Sequence, residues 1–125
     1  MDAAQALADL TEISAQIEAA VIASPDGAAL ASTSPDGAGA ALARAAAEVL
    51  REAGDRAVAV EAATGEGSLF AARDATHVVA AVTGRGVPSG LVLYDLRTCL
   101  RRLAEEPEPP KRKRAPRKKE PDAPA

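Results

Sequence analysis

The tetrapeptide Ser-Pro-Asp-Gly occurs twice, at Ser24–Gly27 and Ser34–Gly37, and it restricts the fold more than any other feature of the sequence. Proline at its second position fixes φ, aspartate bonds back to the chain, and glycine accepts left-handed geometry. The first copy separates Ala19-Ala20-Val21-Ile22-Ala23 from Ala28-Ala29-Leu30-Ala31-Ser32-Thr33, two short apolar segments that read as a β-hairpin. The second copy leads into Ala-rich sequence without β-branched residues, so it reads as a strand-to-helix turn.

Helix propensity is strong from Ala38 to Ala53, where Leu42, Ala45, Ala46, Val49, Leu50 and Ala53 trace one wide face. Arg44 and Glu48, four apart, are spaced for an ion pair, and Gly54 stops the helix as a left-handed cap. Upstream, apolar residues at Ala3, Leu7, Leu10, Ile13 and Ile17 predict a helix from Ala3 to Ile17 with Asp2 as its cap. Downstream come three strand segments, Ala57–Ala62, Ser68–Arg73 and His77–Val82, the last apolar throughout, as suits a central strand covered on both faces. A final helix from Gly90 to Glu105 carries Leu93, Leu96, Leu100 and Leu103 on one side, with Ser89 expected as its cap. The order is α-β-β-α-β-β-β-α, which predicts an α+β fold of one sheet with helices on its faces.

Of the residues, 47% are hydrophobic, but alanine supplies much of that, and Phe70 and Tyr94 are the only aromatics. Such a core must rely on close approach of backbones, because each buried alanine removes little apolar area from water. Cys99 is the single cysteine, which excludes an internal disulfide or a cysteine metal cage. Met1–Ala20 carries four acids and no cation, unlike a secretory leader, and no stretch reaches the length of a membrane span. These features predict a cytoplasmic protein. Residues 1–106 carry 8 Arg and 15 acids, a net −7, whereas residues 107–125 carry 7 cations and 3 acids, a net +4. The chain thus divides into a folded domain, 1–106, and a Pro-rich basic tail, 107–125, expected to be disordered.

No catalytic constellation emerges from the residues. His77 is the only histidine, and nothing near it in sequence has the spacing of a metal or nucleophile partner. Cys99 falls on the apolar side of the last helix, where a thiol acts as a small hydrophobe. Gly84-Arg85-Gly86-Val87-Pro88-Ser89-Gly90 lies between a strand and a helix, but its third glycine is one residue late for a dinucleotide loop and no Lys-Ser or Lys-Thr follows. The carboxylates are spread over helix exteriors and turns. No enzyme activity, cofactor or metal is expected.

Together with the element order, Val21-Ile22-Ala23-Ser24-Pro25-Asp26-Gly27-Ala28-Ala29-Leu30-Ala31-Ser32 and Gly90-Leu91-Val92-Leu93-Tyr94-Asp95-Leu96-Arg97 resemble the roadblock (dynein light chain) family. The resemblance spans roughly Ala3 to Glu106. It implies a profilin-like sandwich, a five-stranded antiparallel sheet with the middle helix on one face and the terminal helices on the other. It also implies a homodimer joined through the third strand, at Ala57–Ala62 with Val58 and Val60, and through the middle helix at Ala43, Ala46, Ala47 and Leu50. The competing reading is that the whole helix face is consumed by the sheet of its own chain. The function implied is a non-catalytic protein-binding adaptor or regulator, acting on a small Ras-like GTPase or within a larger complex.

The tail supports a rival. Lys111, Arg112, Lys113, Arg114, Arg117, Lys118 and Lys119 place seven cations in nine residues, a run able to bind phosphates of a nucleic acid or another polyanion. It lacks an aromatic residue for base stacking, which argues against sequence-specific reading. On this alternative the folded body only dimerises a nucleic-acid-binding tail.

Overall fold

Apolar runs on both sides of a tight turn need a sheet, and a helix with one apolar face needs something to lie on. The computed structural model, which describes residues 1–34 and 37–105, satisfies both demands at once. The elements are α1 (Ala3–Ile13), β1 (Ile17–Ala23), β2 (Ala29–Ser32), α2 (Ala38–Ala53), β3 (Ala59–Ala63), β4 (Ser68–Arg73), β5 (Val78–Thr83) and α3 (Ser89–Ala104). They form one antiparallel sheet in the order β2-β1-β5-β4-β3, with β5 at its centre and β2 and β3 at its margins. The basic tail, including Lys111–Lys119, lies outside the described residues.

The alternation of side chains explains why the inner strands are apolar throughout. Ala20 and Ile22 of β1, Phe70 and Ala72 of β4, and Val79 and Ala81 of β5 point to the side where α1 and α3 pack. Val21 and Ala23, Ala71, and Val78 and Ala80 point to the other side, against Ala43, Ala46 and Leu50 of α2. Small residues on β1, β4 and β5 let α2 approach the sheet closely. Phe70 is fully buried and is the largest side chain of the core.

The hairpin turn forms as expected: Gly27 has φ +95°, Ser24 N donates to Ala28 O, and Gly27 N donates to Ser24 O. A Cβ at Gly27 would stand 3.3 Å from Ala47 Cβ, so this turn lies close against α2. Gln5 N donates to Asp2 Oδ1 at 2.8 Å, giving α1 its cap.

Four local expectations are corrected. Helix α1 ends at Ile13, and Ile17 begins β1, because Ser14 N closes the last turn on Leu10 O and the chain reverses there. Gly54 has φ +108° and ψ 163°, an extended mirror-image conformation and not a left-handed helical one. Glu48 pairs with Arg51, at 3.9 Å, and not with Arg44. Ser89 is the first residue of α3, and Pro88 occupies the cap position without a side-chain bond.

Candidate protein-interaction surface

An antiparallel ladder uses the backbone groups of alternate residues, so a marginal strand leaves the other half unpaired. On β3 the assignment follows from both ends. Arg73 N donates to Val58 O at 2.9 Å, and Thr64 N donates to Gly67 O at 2.7 Å. With Val60 opposite Ala71 and Ala62 opposite Leu69, the even-numbered residues face β4. The N–H and C=O groups of Ala59, Glu61 and Ala63 therefore point away from the sheet. The base of β3 is anchored by Arg73, whose Nε donates to Ala57 O and whose Nη2 donates to Gly54 O, both at 2.7 Å.

Side chains make this margin apolar as well. Val58 is 58% exposed, and Val60, Leu69 and Leu42 are only partly covered, since α2 lies over β1, β2 and β5 more than over β3 and β4. Leu42 of α2 and Leu69 of β4 flank Val60 here; the sequence shows Leu42 as part of the apolar face of α2 and Leu69 as part of the Ser68–Arg73 strand, with nothing to mark either as a border residue. Glu61, exposed in the middle of the margin, is its one charge among Ala59–Ala63.

The helix residues expected in the same contact stand elsewhere. Ala43, Ala46 and Leu50 are buried under the chain's own sheet, at 0%, 0% and 1% exposure, and Ala47 is half-buried beside the Gly27 turn. A contact through those three residues would require lifting α2 off its sheet. The outward face of α2 is instead formed by Ala41, Arg44, Ala45 and Glu48. Val58 and Val60, by contrast, lie on the open margin.

Groups capable of chemistry are dispersed. His77 sits in the β4–β5 turn, with Nδ1 2.9 Å from Thr76 Oγ1. Cys99 is buried between α1 and α3, its Sγ donating to Ala6 O at 3.7 Å. Burial pushes its pKa up to about 11, with Arg102 drawing it down and Asp9 raising it, so it is a protonated thiol at neutral pH. No three His, Cys, Asp or Glu side chains among the described residues converge as metal ligands. The glycine-rich segment before α3 serves as a brace: Arg85 Nη1 donates to Gly65 O of the β3–β4 turn at 3.1 Å. No helix among the described residues is long and apolar enough to cross a membrane.

No family model matches this sequence, and no curated protein matches it. Solved structures do match. A roadblock/LC7 domain from Streptomyces avermitilis is similar at TM-score 0.74 and 16% identity, covering 83% of this chain and 96% of that one. Myxococcus xanthus MglB is similar at TM-score 0.64 and 14% identity, covering 78% of this chain and 87% of its own. Profilin II of Acanthamoeba castellanii is similar at TM-score 0.62 and 13% identity, covering 82% and 96% respectively.

Proposed function

We propose, from the premise that this chain folds as a roadblock-type domain, that it is a non-catalytic adaptor or regulator working as a homodimer. The observation carrying this reading is the β3 margin, with three residues of unpaired backbone groups and Val58 and Val60 incompletely covered. Pairing two such margins antiparallel extends the sheet to ten strands and removes an aggregation-prone edge. Glu61 restricts the register. A two-fold axis at Glu61 would set two carboxylates opposite each other, whereas an axis at Val60 sets each Glu61 against an alanine.

The partner class we propose is a small Ras-like GTPase, in keeping with the likeness to roadblock proteins. In this reading the dimer acts by positioning the GTPase's own switch residues and not by inserting an arginine of its own. Ala59→Pro is the decisive variant. The Ala59 N–H faces away from β4 at the first residue of β3, so proline is tolerated in the monomer fold but obstructs edge pairing. Sedimentation of wild type and variant should give a dimer and a monomer, and titration with the host's small GTPases in both nucleotide states should show binding that the variant loses. A wild-type monomer at high concentration, or no GTPase binding in either state, overturns the corresponding half of the reading.

A further inference from the structure

The unpaired backbone groups of β3 do not by themselves select a register for a second copy. Those groups belong to Ala59, Glu61 and Ala63. A two-fold axis at Glu61 sets all three opposite their counterparts. An axis at Val60 sets only Ala59 and Glu61 against each other and forms about two fewer hydrogen bonds. Ala57 does not make up the difference, because its N–H donates to Gly54 O and its carbonyl accepts from Arg73 Nε. The ladder alone thus favours the axis at Glu61, which places two like charges on residues about 5.5 Å apart at Cα. The choice falls to the side chains.

Helix α3 supplies the one that can make it. The side chains of Ala59, Glu61 and Ala63 share the sheet face that carries α1 and α3, where Ala59 packs against the core. The segment entering α3 lies near Glu61, which shares a hollow with Gly86 and Val87. The later turns of α3 pass the start of β3, where Val58, Arg97, Leu100 and Arg101 line another hollow. Helix α3 therefore runs back along β3, and Arg97 stands beside Val58 at the margin. Arg97 is exposed, and no carboxylate pairs with it among the described residues. The other charges of this hollow are engaged within the chain. Arg73 holds the carbonyls of Ala57 and Gly54, Arg101 donates to Thr98 Oγ1, and Asp74 Oδ1 accepts from the N–H groups of Thr76 and His77.

We propose that Glu61 of a second copy docks against Arg97, and that this pair fixes the dimer with its axis at Val60. The inference rests on the β3-edge homodimer proposed above and specifies its contact. In that register Glu61 of the second copy stands opposite Ala59, on the same sheet face and one strand spacing of about 4.8 Å further out. The flexible arginine side chain reaches across that margin, and the symmetry makes the pair twice. With the axis at Glu61, the residue opposite Ala59 is Ala63, and Arg97 meets no carboxylate there.

The test uses the full chain as wild type, Glu61→Arg, Arg97→Glu and the double charge swap, each sedimented over a concentration series. Each single reversal should weaken the dimer about tenfold, since two equivalent ion pairs become repulsive, and the swap should recover most of the loss. Glu61→Arg makes an acidic body two charges less negative, so long-range repulsion alone would tighten the dimer instead. Register is read separately from Val60→Cys in a Cys99→Ala background. An axis at Val60 brings the two introduced thiols together, on Cα atoms about 4.5 Å apart, and oxidation should link the dimer. Reversals that leave association unchanged, a swap that recovers nothing, or a dimer that does not crosslink through position 60 overturns this inference and leaves the homodimer standing. A wild type that stays monomeric at high concentration overturns the homodimer itself, and this pair with it.

Discussion

Glycine at position 67 shows how a single missing Cβ sets the geometry of a hairpin. An added Cβ would lie 2.0 Å from Thr83 O, a backbone atom that cannot turn aside, whereas Gly65 in the same turn has nothing within 4 Å. Gly67→Ala should lower stability by about 2 kcal/mol or more in denaturant unfolding, with Gly65→Ala within about 0.5 kcal/mol of wild type. Cys99 gives a pH signature. Its folded pKa is raised from 9.0 to about 11, so the folded thiol keeps a proton that the unfolded one releases. Stability therefore falls as pH rises through that window, by roughly 2 kcal/mol at pH 11, and Cys99→Ala should lack this part of the slope. Unfolding free energies of both proteins from pH 8 to 11 check it. The Cys99 thiol was legible in the sequence as a buried hydrophobe, because its place on the apolar stripe of α3 is a local property. The burial of Asp95 was not, since it depends on α1, which lies some eighty residues away in the chain.

Helix α2 poses a question of orientation. Its bounds and propensity were readable, but an alanine-rich helix has a face too wide for composition to choose which part meets the sheet. The structure chooses Ala43, Ala46 and Leu50, leaving Ala41 and Ala45 outside. Enlarging an inner alanine should therefore strain the layer and enlarging an outer one should not. Ala46→Leu is expected to cost about 1–3 kcal/mol, and Ala45→Leu to fall within about 0.5 kcal/mol of wild type, by thermal or chemical unfolding. The strands follow a similar division. Ser68–Arg73 was delimited by the turns on either side of it, while Ala57–Ala62 was displaced by two residues at its start, because Ala57 and Gly54 are held there by the Arg73 guanidinium and not by the ladder.

Over the whole molecule, the two candidate functions separate by which part they need. The adaptor reading needs the β3 margin and predicts that Ala59→Pro abolishes partner binding while removal of residues 107–125 does not. The polyanion reading needs the tail, and seven cations set a ceiling on its salt dependence. A log–log slope of binding to duplex DNA against salt should be no steeper than about −6, and should disappear with the tail. Fluorescence anisotropy with a labelled duplex at several salt concentrations measures it. A slope near that limit in the Ala59→Pro variant, together with no protein partner for wild type, would favour the tail as the working part.

Local chemistry alone determined the succession of elements, the hairpin at Ser24–Gly27, the limits of α2 and the apolar continuity of β5, because turn residues, helix propensity and side-chain alternation act over a few neighbours. Only the tertiary structure decided that β5 lies between β1 and β4, that β3 is left at a margin, that Ala43, Ala46 and Leu50 are consumed internally, and that Asp95 is buried between α1 and α3. Each of those outcomes depends on contacts between segments far apart in the chain. Alanine, small and much the same on every side, leaves the sequence little means of announcing them.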